Sequence, residues 1–195
     1  MRWKTETYEM PLDATSLDLG EIKLPATFVA KQRGRPLPEW SVTESRGIAL
    51  ADATLEHFHG KWLVVAFWNS ESRRSTTYLL PELRRLHALH RQHDCLRIVA
   101  FHTGPEESFD ELETNLATRL DLPFPSIIDA SHTTVDAWGI DHHPTLLLIE
   151  PTGTLVGSFT VNKLFTELSK HGLGDADARM LEALLRSADP LSIPR

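Results

Sequence analysis

Apolar residues in this chain gather into short unbroken runs separated by helical stripes. Trp62 to Trp68 (WLVVAFW) is continuously apolar between Gly60-Lys61 and Asn69-Ser70, which predicts a central strand buried on both faces. Leu96 to His102 (LRIVAFH) predicts a second. Between them Tyr78, Leu79, Leu83, Leu86 and Leu89 recur at helical spacing, predicting a long helix that ends near Asp94. Phe109 to Leu120 reads as an amphipathic helix with Leu112, Leu116 and Leu120 on one stripe. A short strand over Phe124 to Asp129 and a short helix over Thr133 to Trp138 follow. Thr145 to Glu150 and Leu155 to Thr160 predict a strand pair joined by Pro151-Thr152-Gly153-Thr154. Helical patterns over Asn162 to Lys170 and Asp175 to Ser187 close the chain. This alternation predicts an α/β fold, a central mixed β-sheet flanked by helices on both faces. Such sheets bind ligands at the carboxyl ends of their strands. The segments after Trp68, after His102 and before Thr145 are therefore the informative ones.

The first forty residues differ. Arg2 to Tyr8 and Leu17 to Leu24 alternate apolar and polar positions around a turn at Pro11-Leu12-Asp13, as short half-exposed strands do. Residues 1–36 are expected to be an N-terminal β-strand extension, or the remnant of a preceding β-domain. Gln32 to Pro38, polar and rich in Gly and Pro, reads as the linker to the main domain over 37–187, and 188–195 as a tail.

A chain of 195 residues has room for one well-buried core and an appendage. With a formal charge of −7 and interspersed signs, it carries no basic face for nucleic acid. No apolar run approaches the roughly 20 residues that cross a bilayer. The N-terminal MRWKTETYEMPLD lacks the pattern of a secretory signal, so either a cytoplasmic protein or a fragment is expected. The one cysteine, Cys95, excludes an intramolecular disulfide, and a structural role is expected for it at the head of a buried strand.

Taken in order, GKWLVVAFW, a polar turn and a long helix, then IVAFHTG, LPFPSIID and WGIDHHPTLLLIEPTGTLVGSF resemble the TlpA/ResA-like and AhpC/TSA-like (redoxin) proteins of the thioredoxin-like superfamily. The resemblance runs from about Leu37 to Phe165 and implies a thioredoxin-like fold. In those proteins the first strand ends in Phe-Trp, here Phe67-Trp68. A Cys-x-x-Cys follows four residues after the Trp and opens the helix, and a cis-proline packs against it, a role the resemblance gives to Pro144. Counting from Trp68 puts Ser72-Arg73-Arg74-Ser75 at the redox motif. Counting back from Pro81-Glu82-Leu83 shifts the register by one, to Arg73 and Thr76, and implies a one-residue insertion. Neither count restores a cysteine.

Thiol–disulfide exchange needs a thiolate of lowered pKa attacking a disulfide, and a serine hydroxyl supplies neither the nucleophile nor the electron relay. Ser72 and Ser75 are expected to act as helix caps. Arg73 and Arg74 oppose the helix dipole, which suits either solvated side chains beside Glu71 or a docked small anion. Trp68, Glu71, His102, His143 and Pro144 are the candidate lining of a groove that would take a peptide segment or partner protein. A hydrolase triad from His102, His143 and Asp141 with a serine would need convergent geometry, and no Gly-x-Ser-x-Gly elbow is present. His87, His90 and His93 in one helical row, and His142 in the Pro144 loop, are weak metal candidates without an evident second shell. Nothing in these motifs calls for a cofactor. The expected function is a redox-inactive binding or structural module. The alternative is a thiol-disulfide oxidoreductase or peroxidase of the same family whose cysteines have been replaced. The resemblance itself leans toward a bacterial envelope or periplasmic setting.

Overall fold

A computed structural model describes residues 26–90 and 95–173. The two N-terminal strands expected before Pro25, the C-terminal helix expected from Asp175 and the tail lie outside these residues. The described chain runs α1 (Phe28–Gln32), β1 (Glu44–Arg46), β2 (Trp62–Trp68), a π-helical segment (Arg74–Leu79) leading into α2 (Leu80–His90), β3 (Leu96–His102), α3 (Phe109–Leu116), β4 (Ser126–Ile128), α4 (Thr133–Trp138), β5 (Thr145–Ile149), β6 (Leu155–Phe159) and α5 (Val161–Lys170). One sheet has the order β1-β4-β3-β2-β5-β6. Its middle strands β2, β3 and β4 are parallel, while β1, β5 and β6 join antiparallel.

The unbroken apolar run of β2 follows from its central place. Val64, Ala66 and Trp68 face one core with Leu83, Phe109 and Leu164, while Leu63, Val65 and Phe67 face another with Trp40, Phe58 and Trp138. Burial on both faces leaves no polar position along the strand. This is the thioredoxin-like α/β architecture.

Three segments depart from the expected elements. The helix expected to reach Leu120 ends at Leu116, because Ala117 takes a left-handed conformation (φ 49°) and its N–H returns to the carbonyls of Glu113 and Thr114. Leu120 N–H instead donates to the Glu113 carboxylate at 2.8 Å. β1 was not expected at all: Glu44, Ser45 and Arg46 show no apolar alternation, being a three-residue edge strand against β4. Arg46 stacks over Phe109 at 4.6 Å and pairs with Asp110 at 3.1 Å, fastening this edge to the start of α3. The segment read as a linker is docked. Thr27 caps α1, Phe28 stacks on Trp138 at 6.0 Å, and Gly34 and Arg35 exchange backbone hydrogen bonds with Leu155 at 2.8 and 3.0 Å. The outer edge of β6 would otherwise present unpaired backbone groups, and this segment covers part of it.

Candidate functional site

Strand register brings the three informative segments together. Trp68 lies opposite His102 across the parallel β2–β3 pair, and Phe67 opposite Thr145 across β2–β5. The turn after Trp68, the loop after His102 and the His143-Pro144 loop therefore share one end of the sheet. The His143–Pro144 peptide bond is cis.

At the helix start the polar side chains bond to nearby backbone. Asn69 Oδ1 accepts from Glu71 N–H at 2.7 Å, tightening the turn. Ser72 Oγ accepts from Ser75 N–H at 3.3 Å, the N-cap geometry that satisfies one of the helix's orphan donors. Ser75 is fully buried, and its Oγ accepts from Asn69 N–H at 3.4 Å. Both hydroxyls thus close the turn onto the helix. Arg73 and Arg74 are exposed and make no ion pair among the described residues, and Glu71 does not pair with either. From Arg74 to Leu79 the helix is π, with the Leu80 N–H reaching back to Ser75 O. Such a widened turn absorbs an extra residue within a helix. A segment of this kind is the form that a one-residue insertion before Pro81 would take.

Beneath this turn lies a buried polar network. His102 Nε2 contacts Glu106 Oε2 at 2.9 Å, with the two side chains 1% and 2% exposed. Ser70 Oγ donates to Glu106 Oε1 at 2.6 Å and Asn115 Nδ2 donates to the same oxygen at 3.3 Å. Burial pushes His102 below the ordinary imidazole value, and the hydrogen bond and charge of Glu106 offset this only in part. Burial acts to raise Glu106, but hydrogen bonds from Ser70, its own backbone N–H, Asn115 and His102 outweigh it and hold the carboxyl below its usual range. At neutral pH the pair is a neutral imidazole donating to a carboxylate. His102 Nδ1 and Trp68 Nε1 are buried without a hydrogen-bond partner among the described residues, their rings 4.7 Å apart. Gly104 makes this geometry possible: a Cβ there would stand 2.6 Å from both Glu106 Oε2 and His102 Cε1.

A second connection reaches the proline loop. Thr103 Oγ1 lies 3.1 Å from Trp68 O and 2.5 Å from His143 Nε2, while the Thr103 backbone N–H donates to Trp68 O at 2.9 Å. Burial and the neighbouring His142 keep His143 below the ordinary imidazole value despite Asp141.

Several expectations change against this geometry. Trp68 and His102, expected to line a groove, are buried beneath it because their side chains point into the core shared with Phe109 and Leu79. Glu71 is exposed on the turn. His143 and Pro144 do line a groove of about 810 Å³, together with Arg74 and Tyr78. The triad does not form among the described residues. Asp141 bonds His142 at 2.8 Å, not His143, and Glu106 stands between Ser70 and His102 where a triad requires the imidazole in the middle. His87 and His90 face a different cavity near Phe124 and Pro125, and His93 lies outside the described residues. No group of three potential ligands that could hold a metal occurs among the described residues. The sequence reading missed Glu106, Ser70, Thr103 and Asn115. The available signal was His102 four residues before Glu106 at the end of a buried strand.

Residues 33–158 match the AhpC/TSA family. No curated protein matches the chain. Among solved structures, a thioredoxin-like superfamily protein superposes with a TM-score of 0.57 at 20% identity, covering 72% of this chain and 97% of its own. A thiol-disulfide oxidoreductase from Bacteroides fragilis gives 0.54 at 19%, covering 70% and 98%. The exposed lipoprotein thioredoxin of Streptococcus pneumoniae gives 0.53 at 17%, covering 68% and 99%. At these identities the structural likeness establishes the fold. The family match spans well over half of the sequence, and the chain belongs to the AhpC/TSA family, as a thioredoxin-like redoxin domain.

Proposed function

We propose that this chain is a redox-inactive thioredoxin-like domain that serves as a binding module, its ligand a polypeptide segment held in the groove beside Pro144. The observation that carries this reading is the chemistry of the helix start. Ser72 and Ser75 occupy the positions that open the helix after Trp68, and both hydroxyls are engaged by backbone N–H groups. The lone thiol, Cys95, precedes β3, whose other end carries His102. Seven strand residues put it roughly 20 Å from the site. Thiol–disulfide exchange requires a thiolate to attack one sulfur and displace the other, and peroxide reduction requires a thiolate to take the oxygen. Neither has a reactant at this helix start, while the groove lined by His143 and Pro144 supports a binding role.

The test is turnover. In the presence of dithiothreitol, the chain is expected to reduce neither insulin disulfides nor hydrogen peroxide faster than dithiothreitol alone. Catalysis above that background would favour the alternative, an oxidoreductase or peroxidase.

A further inference from the structure

The groove beside Pro144 runs against the acidic balance of the chain. The protein has 27 acidic against 20 basic residues. Among the described residues lining the groove there is no Asp or Glu, whereas Arg74 and Lys163 both line it. Both are exposed and neither forms an ion pair among the described residues. Their charges do not serve their own helices. Arg74 lies in the first turn of the helix that starts at Ser72, Lys163 in the first turn of α5, and neither turn contains an acidic residue. A cation there opposes the local dipole. The same groove is lined by half-buried Phe159 and Pro144 and by Tyr78, at 65% exposure, together with polar His143, Ser158 and Thr160. Tyr is a common anchor in recognition sites, combining a rigid apolar body with a polar tip.

We infer that this groove takes an extended acidic polypeptide segment that carries carboxylates together with an apolar side chain. Arg74 and Lys163 would receive the carboxylates and the Tyr78–Phe159 surface the apolar residue. The inference rests on the groove being a binding site and adds the charge class of its occupant. Complementary rim charges set partner choice and association rate more than total affinity.

Fluorescein-labelled peptides of alternating glutamate, serine and leucine test it, beside matched peptides with glutamine or lysine replacing glutamate. Fluorescence anisotropy at low salt is expected to show the glutamate peptide binding roughly tenfold tighter than the glutamine one, with the lysine peptide weakest. The preference should shrink as salt rises. Arg74→Glu/Lys163→Glu should reverse the order of the three peptides. Arg74→Gln/Lys163→Gln should abolish the preference, and circular dichroism should show both variants folded. Equal binding of the glutamate and glutamine peptides, or a preference surviving in the glutamine variant, overturns the acidic assignment while leaving a binding module in place. Absence of binding by all three overturns the binding module as well.

Discussion

Two polar constellations flank Trp68, and they are built on opposite principles. At the helix start, Asn69, Ser72 and Ser75 bond to backbone within a few residues of themselves, next to exposed arginines. At the end of β3, His102 and Glu106 are buried, and the hydrogen bonds that satisfy Glu106 come from Ser70 before the helix and Asn115 in α3. The first is a local turn that any capping residue could serve. The second is a long-range assembly in which loss of one member leaves others buried without partners. In this chain the interior under the site is more specifically constructed than the surface where sulfur chemistry would occur.

Substitutions in the buried pair should have larger effects than substitutions at the helix start. His102→Ala leaves Glu106 buried without its imidazole partner. It should destabilise the fold by about 3 kcal/mol in urea unfolding. A cost comparable to an exposed substitution would mean that the network is not structurally coupled. Gly104→Ala forces a Cβ against both partners and should cost about 1–3 kcal/mol, with no loss in a His102→Ala background beyond what the Glu106 contact imposes.

Acid should act on the buried pair as well. His102 has its folded-state pKa lowered, so its contribution is complete above the ordinary imidazole value of 6.5 and declines as pH falls below it toward the folded value. Glu106, also lowered, contributes above its ordinary 4.5 and loses that contribution as pH falls through its folded value. Thermal stability should therefore decline in two stages on acidification. The first stage should be weakened in a His102→Gln variant, although His143, also lowered, adds to it. A flat profile between pH 7 and 5 would contradict the neutral-imidazole assignment.

At the surface, Ser72→Ala should cost about 1 kcal/mol, the worth of an N-cap. The smallest effect belongs to Arg74→Glu, which removes an adverse cation from the first turn and should raise stability by about 0.3–1 kcal/mol. A loss of stability there would indicate a structural contact for the guanidinium.

The sequence showed most clearly what depends on near neighbours. The apolar runs of β2, β3 and β5 announced strands covered on both sides, and Ser72 with Ser75 three residues later announced a cap. The slip against Pro81 was visible as a count, whereas the π segment shows only in the folded helix. Less legible were features whose partners are remote. Glu106 lies in Pro105-Glu106-Glu107-Ser108, which reads as a solvated loop until Ser70, His102 and Asn115 are brought to it by the sheet and α3. Trp68 and His102 could be assigned to the correct end of the sheet, but their burial beneath the groove follows from the face on which β2 and β3 point those side chains. β1 escaped notice because a three-residue polar edge strand leaves no periodic trace.

We propose a redoxin fold without sulfur chemistry at its helix start. It is tested most directly by dithiothreitol-coupled insulin reduction with the unaltered chain beside Cys95→Ala. Both are predicted to give the rate of dithiothreitol alone. A faster rate with the unaltered chain, whether lost or retained in Cys95→Ala, would contradict it.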